Sequence, residues 1–238
     1  MPYSGDEGPD ELLRRWYSEH YSTVAATADG SFVGRYMHRA LEHGYGAGDT
    51  GLDRVLEVGG NRGEHVPFVR HPYAEYVLTD LRPPTVPDAL RRDPRLRLEA
   101  ADVQDLPFDD GRFDRVVATC LMHHVPSPLL ALRQMRRVTR PGGRITVLLP
   151  ADPGIVYRVA KALTSGRQAA RRGLSEEHRM VSALDHPNHV GSILVQLRHA
   201  FTEDTVRERW LPFRIPSWNA NAFVVLDVTV RGAGATSR

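Results

Sequence analysis

The sequence is poor in cysteine and lysine, and it has no long uninterrupted apolar run. Its single cysteine, Cys120, has no partner for a disulfide within the chain, which suits a reducing compartment. Charged residues interrupt every apolar stretch before it reaches the about 20 residues of a membrane-spanning helix. The acidic N-terminal residues lack the apolar segment of a secretory signal. These absences predict a cytoplasmic protein with no membrane partner.

The basic residues form no concentrated block in the sequence. Lys161 is the only lysine, so the 31 basic residues are nearly all arginine, and 29 acidic residues balance them. The pairs Arg91-Arg92 and Arg136-Arg137 are scattered between acids. A nucleic-acid surface needs a concentrated basic footprint. We therefore expect no nucleic-acid partner.

Short apolar runs and helical patterns alternate through the middle of the chain. Five strands are predicted at Arg54–Val58, Glu75–Thr79, Leu96–Ala101, Phe113–Thr119 and Arg144–Leu149. Helices are predicted at Glu64–Val69, Thr85–Arg92 and Pro128–Thr139. Two further strands, closing the sheet as an antiparallel pair, are predicted at Val206–Phe213 and Asn221–Val230. This alternation favours an α/β fold with a mostly parallel sheet covered on both faces.

The remaining segments take their assignments from their position in the chain. We predict an N-terminal helical lid at 1–50, a core at 51–150, a helical insertion at 151–200, the last two strands at 201–230 and a flexible tail at 231–238. Ligands of open α/β sheets bind beyond the carboxyl ends of the strands. The insertion, which leaves the fifth strand, is therefore placed to roof that crevice. Within the lid, His38 and Glu42 lie one helical turn apart and predict a surface or capping pair.

The stretch VLEVGGNRGEH, residues 55–65, holds three glycines at the end of the first strand. Glycine lets a backbone turn sharply or approach a ligand closely. A P-loop needs Gly-Lys-Ser/Thr, but Gly63 is followed by Glu64. A dinucleotide turn of the G-x-G-x-x-G type does not align, because the other glycines are Gly59 and Gly60. The flanking acids, Glu57 and Glu64, would repel a pyrophosphate, so a cationic ligand without phosphate is favoured.

The spacing E-x-G-x-x-x-G, together with the acids that follow it, resembles the class I S-adenosylmethionine-dependent methyltransferases. The resemblance covers roughly residues 54–150 and includes YVLTDL, EAADVQDLPFDDGRFD, CLMHHV and LRQMRRVTRPGGRITVLLP in the expected order. It is similar to the type 11 subgroup, which includes ubiquinone and menaquinone biosynthesis enzymes. The resemblance implies a Rossmann-like, seven-stranded sheet with an antiparallel last strand. It also implies S-adenosylmethionine as cofactor, bound by the core, and S-adenosylhomocysteine as product.

The resemblance also assigns the cofactor site. It implies that Asp80 takes the ribose hydroxyls, and that Asp102 contacts the adenine amino group while Val103 offers its backbone. Glu57 would mainly organise the glycine loop and add negative potential near the ligand. Further cofactor contacts are predicted at Gly59, Gly60, Asn61, Gly63, Leu81, Cys120 and Tyr21. Asn61 stands where the family usually has glycine, and asparagine tolerates left-handed backbone better than most residues.

Histidines supply the candidate catalytic groups. His123 and His124 end the fourth strand, where the family places residues beside the reacting methyl group. A hydroxyl acceptor needs a base, and imidazole suits that role at neutral pH. We predict His123 as the base, with His189 as the alternative, while one imidazole of the pair could instead pin its loop to a backbone carbonyl. Acceptor contacts are predicted at His124, His178 and Asn188.

The insertion also contains potential metal ligands, namely Glu177, His178, Asp185, His186 and His189. Pro187 separates His186 from His189, and the H-E-x-x-H spacing of zinc proteases is missing. We therefore predict no metal. In the N-terminal segment, Tyr17, His20 and Tyr21 are candidates to close the methionine end of the cofactor, and the alternative is that Trp16 and Tyr17 belong to the core.

The sequence favours a methyltransferase that acts on a small polar metabolite. We expect transfer to oxygen of a saccharide- or nucleoside-type intermediate, because a looser resemblance links the chain to bacterial proteins of saccharide and secondary-metabolite pathways, antibiotic biosynthesis among them. The alternative is an accessory protein that binds the cofactor without transferring methyl. A nicotinamide dehydrogenase is a less favoured third reading. The sequence leaves open whether the chain forms a homodimer or associates with a partner enzyme of its pathway.

Overall fold

Seven strands form a single sheet in the computed structural model, which describes residues 8–20 and 32–232. They are β1 (Arg54–Val58), β2 (Glu75–Asp80), β3 (Leu96–Ala100), β4 (Phe113–Thr119), β5 (Thr139–Pro150), β6 (Thr205–Leu211) and β7 (Phe223–Thr229). Their order across the sheet is β3-β2-β1-β4-β5-β7-β6. Strands β1 to β5 are parallel, and β7 is antiparallel to both of its neighbours. The predicted mostly parallel sheet with an antiparallel last strand is confirmed.

Eight α-helices flank the sheet in the part of the chain that the structure describes. They are α1 (Pro9–Arg15), α2 (Phe32–Leu41), α3 (Asp88–Arg91), α4 (Pro128–Val138), α5 (Ile155–Lys161), α6 (Arg167–Arg171), α7 (Ser175–Asp185) and α8 (Val190–Ala200). A π-helical turn at Trp16–His20 extends α1, and another at Ala162–Gly166 joins α5 to α6. Within the described ranges, no helix combines the length and the apolar composition needed to cross a membrane.

Proline shortens two of the predicted helices. The predicted helix Glu64–Val69 is a single 3-10 turn around Pro67, and the predicted helix Thr85–Arg92 is reduced to the four residues of α3, which Pro87 precedes. Proline has no N–H to donate and disfavours helical backbone in the residue before it. A helical composition between prolines is therefore not sufficient for a full helix here.

Strand β5 begins at Thr139 instead of the predicted Arg144. Thr139 pairs with Phe113, and after a register shift Arg144 pairs with Arg115. The predicted helix over Pro128–Thr139 consequently ends one residue early, as α4. The added strand residues lie at the amino-terminal edge of the sheet, away from its ligand-binding edge.

Two apolar clusters cover the two faces of the sheet. Neighbouring residues of β1, Val55 and Leu56, belong to different clusters because successive strand side chains point to opposite faces. On one face α4 and α8 pack together with Met135 and Leu197 fully buried. On the other face α2 contributes the fully buried Leu41. Burial on both faces explains why these strands read as nearly continuous apolar runs.

A third cluster joins the N-terminal helix to the helices that follow β5. Leu12 and Trp16 pack with Val181, and all three are buried. Nη2 of Arg15 lies 2.9 Å from Oε1 of Glu177. Helix α1 is thereby held against α7 by both apolar and charged contacts.

A buried ion pair links the end of α2 to β4. Oε1 of Glu42 accepts hydrogen bonds from Nη2 of Arg115 at 2.6 Å and from Nε2 of His65 at 3.0 Å, and none of the three side chains is exposed. His38, only 4% exposed, stacks on Phe68 with ring centroids 5.0 Å apart. The predicted surface pairing of His38 with Glu42 is therefore wrong. The two residues do lie one helical turn apart, but Glu42 pairs with Arg115 of β4. The spacing of residues along a helix gives no information about such a partner from the sheet.

Candidate active site

The turn after β1 contains three residues with left-handed backbone. The φ angle is 67° at Gly59, 45° at Asn61 and 73° at Gly63, a region that favours glycine and that asparagine tolerates. A Cβ atom at Gly60 would collide with the side chain of Leu78. The turn is thus pressed against β2, and three of its five residues, Gly59, Gly60 and Gly63, require glycine for conformation or for space.

Two acids follow neighbouring strands at the carboxyl edge of the sheet. Asp80 ends β2, and its Oδ2 accepts the N–H of Asn61 at 3.1 Å. In residues 8–20 and 32–232, Oδ1 of Asp80 accepts no hydrogen bond. Asp102 follows β3, and its Oδ1 accepts the N–H of Gln104 at 2.8 Å. Leu81 beside Asp80 is 72% exposed. This edge therefore offers an unoccupied carboxylate oxygen next to an exposed apolar side chain.

Glu57 lies beneath the glycine turn and does not face the crevice. Its side chain is buried, and its Oε2 accepts the hydroxyl hydrogen of Tyr76 at 2.8 Å. Burial raises the pKa of Glu57 to about 8, against the lowering effect of that hydrogen bond. The predicted negative potential from Glu57 toward a ligand is not what these contacts provide. Its side-chain hydrogen bond joins β1 to β2 beneath the turn.

The buried carboxyl predicts a distinctive dependence of stability on pH. Because the pKa of Glu57 is about 8 in the folded chain against a reference value of 4.5, the folded state binds more protons between these pH values. The free energy of unfolding should therefore fall as pH rises from 4.5 to 8. Glu57→Gln should reduce that slope, measured by urea unfolding at several pH values. Asp105→Asn, at an exposed acid, should leave the slope unchanged, and an equal slope in wild type and Glu57→Gln would contradict the assignment.

Strand β4 ends in a second strained turn, which leads into the histidine pair. Cys120 has a φ angle of 51°, and its N–H donates to the carbonyl of Leu148 at 3.0 Å. The side chain of Leu121 lies against Gly59, where a Cβ atom would come within 2.7 Å of it. His123 follows and is 5% exposed. The end of β4 therefore touches the glycine turn through Leu121, and His123 follows two residues later in the chain.

Three imidazole rings converge at this point. The ring centroid of His123 lies 4.0 Å from that of His124 and 4.4 Å from that of His186. Nδ1 of His124 lies 2.9 Å from the carbonyl of Asp185 and 3.0 Å from its carboxylate, and Nδ1 of His186 lies 3.3 Å from the carboxylate of Asp152. Burial, followed by the charges of the two neighbouring histidines, holds the pKa of His123 well below its ordinary value. The predicted pair is thus part of a triad.

Two depressions lie at the opposite, amino-terminal edge of the sheet, with volumes of about 640 and 990 Å³. Both are lined by arginines that already have acidic partners, such as Arg136 with Asp204 at 2.7 Å and Arg209 with Asp227 at 2.8 Å. Neither contains the glycine turn or the imidazoles. We place the functional site at the carboxyl edge, because that edge gathers the unpaired polar groups.

The part of the chain that carries the glycine turn and the acids matches a known family. Residues 56–147 match the family model described as a methyltransferase domain. This core belongs to the class I S-adenosylmethionine-dependent methyltransferases. The match begins in β1 and ends in β5, so the methyltransferase core includes the turn, Asp80, Asp102 and the first two imidazoles.

Named relatives of the methyltransferase core match over a similar region. The chain is 35% identical over 95 residues to the demethylmenaquinone methyltransferase of Beutenbergia cavernae, covering 40% of each chain. It is 34% identical over 116 residues to the 27-O-demethylrifamycin SV methyltransferase of Amycolatopsis mediterranei, covering 43% of this chain and 42% of that one. The chain therefore spans about two fifths of the length of these relatives.

A solved structure resembles a larger part of the chain. The CurJ carbon methyltransferase superimposes with a TM-score of 0.63 and 15% identity, covering 96% of this chain and 62% of that one. At this level of identity the likeness shows the fold alone. It extends the comparison beyond the methyltransferase core to the helices after β5 and the last two strands.

Two of the residues predicted for the acceptor side of the methyltransferase lie in structural roles. Nδ2 of Asn188 donates to the carbonyl of Val125 at 2.7 Å, which ties the segment after α7 to the loop after β4. His189 is exposed, and its Nδ1 accepts the N–H of Ser192 at 3.4 Å as the N-cap of α8. Neither belongs to the triad of imidazoles. These contacts do not favour Asn188 as an acceptor contact or His189 as the alternative base.

The other predicted residues lie nearer the triad. His178 is partly buried, with its ring centroid 5.8 Å from that of Trp16. Burial, followed by the charges of Lys161 and His186, lowers the pKa of His178 to about 4. The hydroxyl of Tyr17 donates to Asp185 at 2.6 Å, which joins the N-terminal segment to the same region. Tyr21 lies outside the described residues.

Sequence reasoning missed a lysine and an acid at the site. Asp152 follows β5 and contacts His186. Lys161, on α5, is partly buried. Burial lowers its pKa below the ordinary value, although the charges of Asp152 and Asp185 act in the opposite direction. That Lys161 is the only lysine of an arginine-rich chain is the signal that could have pointed to it. Asp152 carried no comparable signal in the sequence.

Proposed function

We propose that this chain binds S-adenosylmethionine and transfers a methyl group to an oxygen atom of a small polar metabolite of saccharide or nucleoside type. The observation that carries the proposal is that the glycine turn, Asp80 and Asp102 share one edge of the sheet with the imidazoles after β4. Methyl displacement requires the two reactants to be ordered against each other and shielded from water. The helices after β5 contact those imidazoles and are placed to provide that shield.

The polar groups at the turn fit the cofactor. Oδ1 of Asp80, with its two lone pairs, is available to accept both ribose hydroxyls while Oδ2 holds the turn at Asn61. The exposed Leu81 offers an apolar surface for adenine, and Asp102, with the backbone of Val103, suits its amino edge. When bound, S-adenosylmethionine supplies an electrophilic methyl group. Asp80, Leu81 and Asp102 would hold its nucleoside at this edge of the sheet.

The surroundings of the imidazoles suit a hydroxylated acceptor. His123 is buried, while His124 and His186 are each held by a carboxylate and Lys161 lies nearby. These groups offer donors and acceptors within a small space, which fits a polar molecule better than an apolar one. The likeness to a protein named as a 27-O-demethylrifamycin SV methyltransferase supports transfer to oxygen and an acceptor from secondary metabolism, as in antibiotic biosynthesis.

Incubation with methyl-labelled S-adenosylmethionine and a panel of sugars, nucleosides and glycosylated metabolites tests the proposal. We expect a labelled product from at least one acceptor and one equivalent of S-adenosylhomocysteine for each methyl transferred. Tight cofactor binding without product across the panel would favour the alternative, an accessory protein that assists a partner enzyme. Asn61, which stands in the glycine turn where the family usually has glycine, is the feature that favours this alternative. Binding of NAD in place of S-adenosylmethionine would contradict both.

His123→Ala is expected to lower kcat by about 100-fold, the lower end of the effect of general acid–base groups, and to leave cofactor affinity unchanged. The reason is that His123 follows β4, whereas the proposed cofactor acids follow β2 and β3. Steady-state kinetics and calorimetry with S-adenosylmethionine measure the two effects separately. His189→Ala, at an exposed helix cap, is the matched control. Full activity of His123→Ala would show that His123 takes no part in the reaction, and His189 would then be the remaining candidate base.

A further inference from the structure

We propose that His123, His124 and His186 bind one divalent transition-metal ion, zinc being the best suited, and leave one coordination position open. One ring nitrogen of each histidine lies within 4.8 Å of a ring nitrogen of both others. Tetrahedral zinc with Zn–N bonds of about 2.0–2.1 Å places its ligand atoms about 3.3 Å apart. Small rotations of the three rings would therefore close them around one ion. The prediction of no metal rested on a different set of residues within the insertion alone.

Two of the imidazoles are oriented as metal ligands usually are. The carboxylate of Asp185 lies on Nδ1 of His124, and the carboxylate of Asp152 lies on Nδ1 of His186. A carboxylate on one ring nitrogen fixes the proton there and leaves the lone pair of Nε2 free for a metal ion. The two acids therefore act as outer partners of the site, and they orient rings that come from different parts of the chain.

The third imidazole has a buried atom that otherwise lacks an explanation. Nδ1 of His123 has no hydrogen-bond partner among the described residues, although the side chain is only 5% exposed. Buried polar atoms in folded proteins are nearly always paired, and an exception points to a missing ion or water or to a functional role. A metal ion bound between the three rings gives the buried imidazole a partner.

The charges around the triad favour a cation. The carboxylate of Asp152 lies against Nδ1 of His186, and the carboxylate of Asp185 lies against Nδ1 of His124. Lys161 opposes them with one positive charge, and Arg158 is exposed to solvent. The two carboxylates outnumber the one partly buried ammonium group, and this excess of negative charge attracts a cation.

The site would join two segments of the chain. His123 and His124 follow β4, whereas His186 follows α7, so a bound ion would fix the helices after β5 to the core. With the ion bound, His123 would act on the reaction as a metal ligand and not as a free base, and the ion would polarise an oxygen placed at the open coordination position. That last consequence rests on the proposed methyl transfer, whereas metal binding itself does not.

The test uses the full chain, free of any affinity tag and stripped of metal by a chelator. Calorimetry with Zn²⁺ should show one ion per chain, and added Co²⁺ should give the intense visible bands of a four-coordinate ion. His124→Ala and His186→Ala should weaken zinc binding by more than about 100-fold, and Asp152→Asn by about 10–100-fold, as outer partners of metal ligands do. His189→Ala and His199→Ala, at exposed histidines of the same region, should bind zinc as wild type does.

Absence of zinc binding, binding retained in His186→Ala, or only six-coordinate cobalt would overturn the proposal. Circular dichroism and melting of the metal-free variants establish that each is folded, and Asp152→Asn tests the site without removing a ring. S-adenosylmethionine binding is measured on the same samples. A chain that binds this cofactor but no zinc overturns the metal site alone, and a chain that binds zinc but no cofactor overturns only the proposed function.

Discussion

Glu42→Gln is expected to lower the free energy of unfolding by about 3–5 kcal/mol, the range found when one partner of a buried ion pair is removed. Glu42 accepts hydrogen bonds from Arg115, from His65 and from the N–H of Arg70. The substitution keeps the volume of the side chain and removes its charge. Arg115, which has no exposed surface and lies 3.8 Å from the ring centroid of Tyr45, would remain as a buried cation without a counter-charge.

Urea unfolding of matched variants isolates the buried pair. Arg198→Gln removes one partner of an exposed ion pair, in which Arg198 is 57% exposed, and should cost less than about 1 kcal/mol. The double variant Glu42→Gln/Arg115→Met should lose less than the sum of the two single variants, because it no longer leaves a lone buried charge. A loss below about 1 kcal/mol for Glu42→Gln would contradict the buried pairing.

The same pair predicts how acid affects stability. Burial alone would raise the pKa of Glu42, but the hydrogen bond from His65 and the charge of Arg115 outweigh it and lower the pKa to about 2, against a reference value of 4.5. The stabilisation from the ionised carboxylate is therefore complete above pH 4.5 and is lost as the pH falls toward 2. The difference between wild type and Glu42→Gln should shrink over that range. A difference that stays constant would mean that Glu42 is not the group that titrates.

The sheet could be predicted because its signals are local. Strand β1 matches its predicted bounds, since a run of apolar residues bounded by Asp53 and Gly59 has few other ways to be buried on both faces. The glycine turn and Asp80 were recognisable for a related reason: their spacing is set by the length of one strand–turn–strand unit, which the sequence displays directly. The ends of the helices were less accessible, because Pro67 and Pro87 break a pattern that composition alone favours.

The polar interior could not be predicted, because its partners are far apart in the sequence. Arg115 lies 73 residues after Glu42, and only the packing of α2 on the sheet brings them together. His186 joins His123 and His124 through the path of the helices after β5, which no periodicity encodes. The sequence offered His189 as the alternative base, but this histidine caps a helix. Local patterns therefore identified the glycine turn and the acids of the proposed cofactor site, while long-range packing decided which groups meet at the proposed acceptor site.

Asp80→Ala is expected to raise the Kd for S-adenosylmethionine by about 100-fold or more. A hydrogen bond to a charged group contributes about 1.5–3 kcal/mol, each 1.4 kcal/mol is a factor of about ten in affinity, and the carboxylate is proposed to accept two ribose hydroxyls. Oδ2 of Asp80 also holds the N–H of Asn61, so the variant should loosen the turn as well. Calorimetry with S-adenosylmethionine and S-adenosylhomocysteine should show equal losses, because both carry the same ribose.

Two control variants distinguish loss of the ribose contact from loosening of the glycine turn. Asp80→Asn keeps an acceptor for the N–H of Asn61 but no longer accepts two hydroxyl protons, so its loss should approach that of Asp80→Ala. Asp105→Ala, at an exposed acid, should leave both affinities unchanged. If Asp80→Asn binds as wild type does while Asp80→Ala does not, Asp80 acts through the turn alone, and the ribose is held elsewhere. Unchanged binding in both Asp80 variants would place the cofactor away from this edge of the sheet.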